Sequence, residues 1–186
     1  MSANIVARPV EYKGVNFRSS LEARYAILFD TLGLTWDYEP SIPLAGYIPD
    51  FLLRVVLRRP AFSRPPATAL VLIETKPIVC ADDYASPVRK IALSGWEHAA
   101  AVLCPAPWSI LDADGEHWAF GIATDRVERR DALPGGHASW HPVGIVAPVG
   151  ACLASLVLGG GDDIRSAWRR AGNLVQWRPP VAKDSP

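Results

Sequence analysis

Three carboxylates and one lysine stand at Glu22, at Pro49-Asp50 and at Glu74-Thr75-Lys76, where a helix and two strands of a short mixed sheet could bring them together. Such a group can hold a divalent cation and attack a phosphodiester. Mg²⁺ is hard and strongly hydrated, so it takes one or two carboxylates and fills its other positions with waters and phosphate oxygens. Asp50 and Glu74 could supply those carboxylates, joined by the Thr75 carbonyl, with Glu22 bound through water or at a second ion. One ion, or two about 3.5–4 Å apart, would activate water and neutralise charge on the leaving oxygen. Lys76 would orient the attacking water or stabilise the pentacovalent phosphate. Softer metals prefer thiol or imidazole ligands, and no such set accompanies these residues.

Each residue sits in a segment with a readable pattern. Ala69–Lys76 reads A-L-V-L-I-E-T-K, an apolar run that turns polar at its end, as a buried strand does where it emerges at a functional edge. Strand alternation sets Glu74 and Lys76 on one face with Leu70 and Leu72, and sets Val71, Ile73 and Thr75 on the other. Pro77 ends the ladder. Gly46–Val56 is again strand-like, with Asp50 among apolar neighbours, where an ionised carboxylate is costly unless paired or bound to a cation. Glu22 lies in a helix that starts at Ser19 or Ser20 and ends at Gly33. At 100° per residue it falls about 20° from Phe29, at the edge of the arc formed by Leu21, Tyr25, Leu28, Phe29 and Leu32.

Plainer readings stand beside these. Ser19-Ser20-Leu21-Glu22 is also a capping box, in which Glu22 folds back onto the Ser19 N–H. Asp50 after a proline suits a turn, and Glu74-x-Lys76 suits a cross-strand ion pair. The order helix, strand, strand, with a buried run leading into E-x-K, is what sets the group apart.

Phe17-Arg18-Ser19-Ser20-Leu21-Glu22-Ala23-Arg24-Tyr25-Ala26, then Leu32–Pro40, then Tyr47-Ile48-Pro49-Asp50-Phe51, together with Glu74-Thr75-Lys76, resemble the PD-(D/E)xK nuclease superfamily. The likeness is to its small bacterial and phage endonuclease-like members, relatives of the endonuclease subunit of heteromeric transposases. It covers Asn16 to Leu103, just under half the chain. The resemblance implies an α/β, restriction-endonuclease-like core, a central mixed sheet flanked by helices in the order αβββαβ. It further implies Glu22, Asp50 and Glu74 as metal ligands for Mg²⁺ or Mn²⁺ and Lys76 as the catalytic lysine, with Lys90 at a place where such nucleases contact the substrate backbone; Arg18, Arg58 and Arg59 are further expected contacts to nucleic acid. Two features depart from its usual pattern: the proline-rich stretch Arg58–Thr68, and Pro77 where a glycine is usual.

Further along, Ser86-Pro87 is an N-cap and first-turn pair, predicting a helix from Pro87 to about Gly95 that carries Lys90. Ala99–Cys104 reads as a short buried strand, and Ser109–Asp112 with His117–Ala123 as a hairpin around Asp114-Gly115. Asp131–Gly150 is rich in breakers and reads as a loop or linker wrapping the core. Its His137 and His141, crowded by prolines and glycines, are not read as a zinc site. Gly159–Gly161 lacks the Lys-Ser or Lys-Thr of a phosphate loop and precedes a last amphipathic helix, Asp162 to about Trp177. The expected organisation is a nuclease core over residues 1–130, then a linker and helical extension over 131–186 packing on it.

With 186 residues, half of them apolar, the chain can bury a real core. Met1–Arg8 has no apolar stretch of signal-peptide length, and the prolines and glycines of Pro142–Gly161 argue against a membrane span. Three cysteines in no ligand spacing suit reduced thiols, so a cytoplasmic protein is expected. Nineteen basic and nineteen acidic residues cancel, which weighs against strong sequence-independent nucleic-acid binding. The cations are nonetheless clustered, at Arg54, Arg58, Arg59 and Arg64 and again over Arg165–Lys183. A basic face can therefore exist on a neutral chain, widened by a second copy or a protein partner. The expected activity is a metal-dependent nuclease acting on DNA; the alternative is a non-catalytic nucleic-acid-binding or assembly component with a nuclease-like fold.

Overall fold

The computed structural model describes residues 9–57, 67–112, 115–144 and 161–176. Val10–Tyr12 (β1) and Val15–Phe17 (β2) pair as a hairpin across the two-residue turn Lys13-Gly14, both with positive φ, the geometry that matches strand twist. Ser20–Thr31 forms α1, with Ser19 as its cap: the Glu22 N–H donates to Ser19 Oγ at 3.2 Å. Gly33, at φ 68°, then turns the chain into Thr35–Tyr38 (β3).

Phe51–Leu57 (β4) and Ala67–Thr75 (β5) follow, then a 3-10 turn at Ala81–Tyr84 and the helix Ala85–Leu93 (α2). Ala99–Asp112 (β6), Gly115–Thr124 (β7), His141–Gly144 (β8) and Gly161–Gln176 (α3) complete the order. Strands β3 to β8 make one sheet in chain order, antiparallel throughout except for the parallel pair β5–β6, which α2 connects. The protein is thus mixed α/β, with a mostly antiparallel sheet.

The two faces of the sheet bury different cores. Phe51, Leu53, Val55, Val71 and Ile73 lie with α1 and with Ala167 and Trp168 of α3; Leu52, Leu72, Ala100 and Val102 lie with Val88 and Ile91 of α2. That split is the period-2 alternation of β4 and β5. Helix α1 is buried beyond the single arc its spacing predicts, at Ala23, Ala26 and Ile27 as well, because α3 packs against it. The guanidinium of Arg24 stacks 3.7 Å over the Trp168 ring and donates to the Trp168 carbonyl at 2.9 Å, pinning the two helices together.

Several boundaries differ from expectation. Gly46–Asp50 precedes β4 rather than belonging to it, since Pro49 has no N–H for a ladder and Gly46 turns at φ 62°. Helix α2 starts two residues before Pro87, because the 3-10 turn runs straight into it; Ser86 is inside its first turn and not its cap. The two expected strands around Pro105 and Pro107 are one strand whose pairing to β7 shifts between Leu103 and Trp108. On β7, Gly121 passes so close that a Cβ there would lie 2.0 Å from the Val102 carbonyl oxygen. Part of the expected loop 131–150 is β8, an edge strand that tolerates Pro142. The expected division at residue 130 therefore falls between two strands of one sheet. Residues Arg58, Arg59, Arg64, Asp114, Cys152 and the span 145–160 lie outside the described residues. Among the described residues no helix is long and apolar enough to cross a membrane.

Candidate functional site

The antiparallel register pairs Leu52 with Leu72 and Phe51 with Ile73; one step further sets Asp50 opposite Glu74. Both side chains line a cleft together with Lys90 and Leu93 of α2. Burial is nearly complete, Asp50 being 1% and Glu74 4% exposed. The alternation that fills the core thus also carries two carboxylates to one end of the central strand pair.

Asp50 is held on both oxygens. The Thr75 N–H and hydroxyl donate to Oδ2 at 2.6 and 2.8 Å, and Arg18 Nη2 donates to Oδ1 at 2.9 Å. Lys76 Nζ lies 2.5 Å from Glu74 Oε1 and 3.9 Å from Asp50 Oδ2, so one ammonium serves the pair. The remaining Glu74 oxygen accepts from the Tyr47 hydroxyl at 2.6 Å. Burial and, next, the charge of Glu74 push the Asp50 carboxyl up to about 6, against the opposing pull of Lys76 and the Thr75 donors. Burial and the Glu74 charge drive the Tyr47 phenol far above its usual range, keeping it a donor.

Glu22 does not join this pair. Its Oε1 accepts from the Ser19 hydroxyl at 2.9 Å, and its Oε2 from the Arg18 N–H at 3.0 Å and the Tyr38 hydroxyl at 2.6 Å. Burial and the bond to Glu22 raise Tyr38 to about 12. The capping role read from the sequence is present, but the backbone donor is Arg18 and not Ser19. Among the described residues no three His, Cys, Asp or Glu side chains converge closely enough to hold a metal ion. The expected three-carboxylate set is corrected to two carboxylates and an outlying third, because Glu22 is drawn back by its own helix cap and by Tyr38. Thr75 enters as a donor to Asp50.

The pair opens into a cleft of about 440 Å³ lined by Arg18, Tyr47, Asp50, Glu74, Lys76 and Lys90 among others. Lys90 is exposed on α2, and Lys76 is 34% exposed, so two ammonium groups face the cleft above the buried carboxylates. Arg18 is spent largely within the protein, since its Nε also pairs with Glu39 Oε1 at 2.8 Å. Glu39 sits at φ 43°, and its N–H donates to the Asp50 carbonyl. That strained residue ties β3 to the segment that presents Asp50. His137 and His141 lie elsewhere, on and beside the Gly136–Ser139 turn.

Tyr38, Glu39 and Tyr47 fall within the stretches that carry the resemblance, but the sequence assigns them no role. The available signal was chemical: a tyrosine that buries its ring needs a partner for its hydroxyl. Nothing in the spacing says that the partner is a carboxylate from another strand.

The donor set fits a hard divalent ion on two counts. Asp50 and Glu74 supply the one or two carboxylates that such an ion takes, beside a cleft with room for its waters. Among the described residues Asp50 Oδ1 and Glu74 Oε1 each meet one protein donor, so each keeps a lone pair for a ligand bond. Comparison with family models, with curated proteins and with solved structures returned no match.

Proposed function

We propose that the protein is a divalent-metal-dependent nuclease of the PD-(D/E)xK type, hydrolysing phosphodiester bonds in DNA. The observation that carries this reading is the opposition of buried Asp50 and Glu74 where β4 begins and β5 ends, with the Lys76 ammonium reaching both in an open cleft. The chain order α1, β3, β4, β5, α2, β6 supports it as well, being helix, three strands, helix, strand.

Asp50 and Glu74 would hold Mg²⁺ or Mn²⁺, which supplies polarisation of the phosphoryl oxygen and a water of lowered pKa. Thr75 and Tyr47 hold the two carboxylates in place through donors that do not ionise at neutral pH. The Lys76 ammonium is exposed enough to donate to substrate while remaining tethered to Glu74, so it is the residue assigned to the charge that develops on phosphate. Lys90 draws the polynucleotide backbone to the cleft.

The test is cleavage of linear duplex, single-stranded and supercoiled DNA with Mg²⁺, Mn²⁺ or EDTA, by the wild type and by Asp50→Ala and Lys76→Ala. Metal-dependent cutting that both substitutions remove is the expected result; cutting that survives either one sinks the site assignment.

One observation favours a second reading, a nucleic-acid-binding or assembly component without catalysis. Lys76 already neutralises Glu74 from within the chain, as a structural ion pair does, and the chain as a whole has no net charge. DNA binding that is indifferent to EDTA, with no cutting on any substrate, would select it.

A further inference from the structure

Arg18 connects the outlying carboxylate to the buried pair. Its N–H donates to Glu22 Oε2 at 3.0 Å, its Nη2 to Asp50 Oδ1 at 2.9 Å, and its Nε lies 2.8 Å from Glu39 Oε1. A guanidinium keeps its proton at any working pH, so a permanent positive charge rests on the Oδ1 side of Asp50. Glu22 offers that side little, since three donors from Ser19, Arg18 and Tyr38 already occupy its oxygens. On the opposite flank, Glu74 Oε1 meets, among the described residues, the Lys76 ammonium alone, which leaves its second lone pair open to a cation.

We propose that Arg18 stands in for a second metal ion: the site takes one divalent cation, on the Asp50–Glu74 flank, and the guanidinium supplies the other positive charge that faces the phosphate. The proposal rests on the nuclease reading above. Geometry gives it two supports. Arg18 lines the same cleft as Glu74 and Lys76, and its side chain is 59% exposed, so its guanidinium is within reach of a substrate oxygen while it stays paired with Asp50 and Glu39. The guanidinium takes one lone pair of Asp50 Oδ1 and leaves the other, toward Glu74, for the single cation; a second dication on the Arg18 side would enter directly against that charge.

The experiment is to titrate Mn²⁺ into the full chain without nucleic acid, by calorimetry and by the electron paramagnetic resonance of free Mn²⁺, for the wild type, Arg18→Ala and Arg18→Lys. One ion per wild-type chain is expected. Arg18→Ala is expected to bind Mn²⁺ about tenfold more tightly, as when a like charge is removed from a partly buried site, yet to cut DNA at least about tenfold more slowly. Arg18→Lys should fall between the two. A purely structural Arg18 would loosen metal binding and slow cutting together, and that result overturns the proposal. Two ions per wild-type chain overturn it too, while leaving the nuclease reading in place. No ion on the wild type at millimolar Mn²⁺ removes the nuclease reading and this proposal with it. Should Arg18→Ala fail to fold by circular dichroism, the wild-type stoichiometry and Arg18→Lys still decide.

Discussion

Replacing Asp50 with asparagine is expected to stabilise the metal-free protein at neutral pH and to abolish cleavage. The wild-type carboxyl is raised from an ordinary 3.8 to about 6, chiefly by burial and then by Glu74. A folded-state value above the unfolded one means that the native protein holds the proton more tightly. Its stabilising contribution is therefore complete below about pH 4 and is lost as pH climbs through about 6. Each pH unit in that window is worth about 1.36 kcal/mol, so ionising Asp50 removes about 3 kcal/mol by pH 7.5. Asparagine does not ionise and keeps an oxygen for the Thr75 donors, but its amide meets Arg18 donor against donor. Arg18, 59% exposed, can swing into water at a loss of about 1 kcal/mol. The net gain is about 2 kcal/mol at pH 7.5, or about 4–8 °C in Tm for a chain of this size. At pH 4.5 the gain should vanish. Urea unfolding followed by tryptophan fluorescence in EDTA, from pH 4.5 to 8.5, measures the difference between the two proteins. A constant offset across that range, or a variant less stable than wild type at pH 7.5, would refute the reasoning.

Other perturbations have expected outcomes of the same kind. Tyr47→Phe removes the donor to a buried oxygen of Glu74 and should cost about 1–3 kcal/mol in a thermal melt while slowing single-turnover cleavage. Lys76→Met removes the cation that holds the Asp50 carboxyl down, so the stability lost with rising pH should extend past pH 6 in the same urea series. Trp168→Ala takes a buried ring from against Tyr25, Phe120 and Arg24, and should cost about 3–5 kcal/mol by urea unfolding without altering Mn²⁺ stoichiometry.

What could be read from the chain tracks how local the cause is. The strand carrying Glu74 is expected at Ala69–Lys76 and found at Ala67–Thr75, because an unbroken apolar run closed by Pro77 leaves little choice. Helix α1 begins after Ser19 for an equally local reason, a hydroxyl in reach of the Glu22 N–H. Edge strand β8 escaped because Pro142 and Gly144 look like breakers unless one knows that the strand has a neighbour on one side only. The β1–β2 hairpin escaped too, since three-residue strands carry almost no periodicity.

Residue types and their alternation determined which side chains of a strand share a face: Leu52 with Arg54, Glu74 with Leu72, Thr75 with Ile73. These follow from a period of two and need no partner strand. Tertiary structure alone decided which carboxylates meet. The β4–β5 register brings Asp50 opposite Glu74, while the cap of α1 and the Tyr38 hydroxyl draw Glu22 away. It also decided that the charge beside Asp50 is Arg18, 32 positions earlier in the chain. Pairing across such separations is set by how the sheet and helices pack, and a hydrogen-bond partner chosen by packing leaves no period in the sequence.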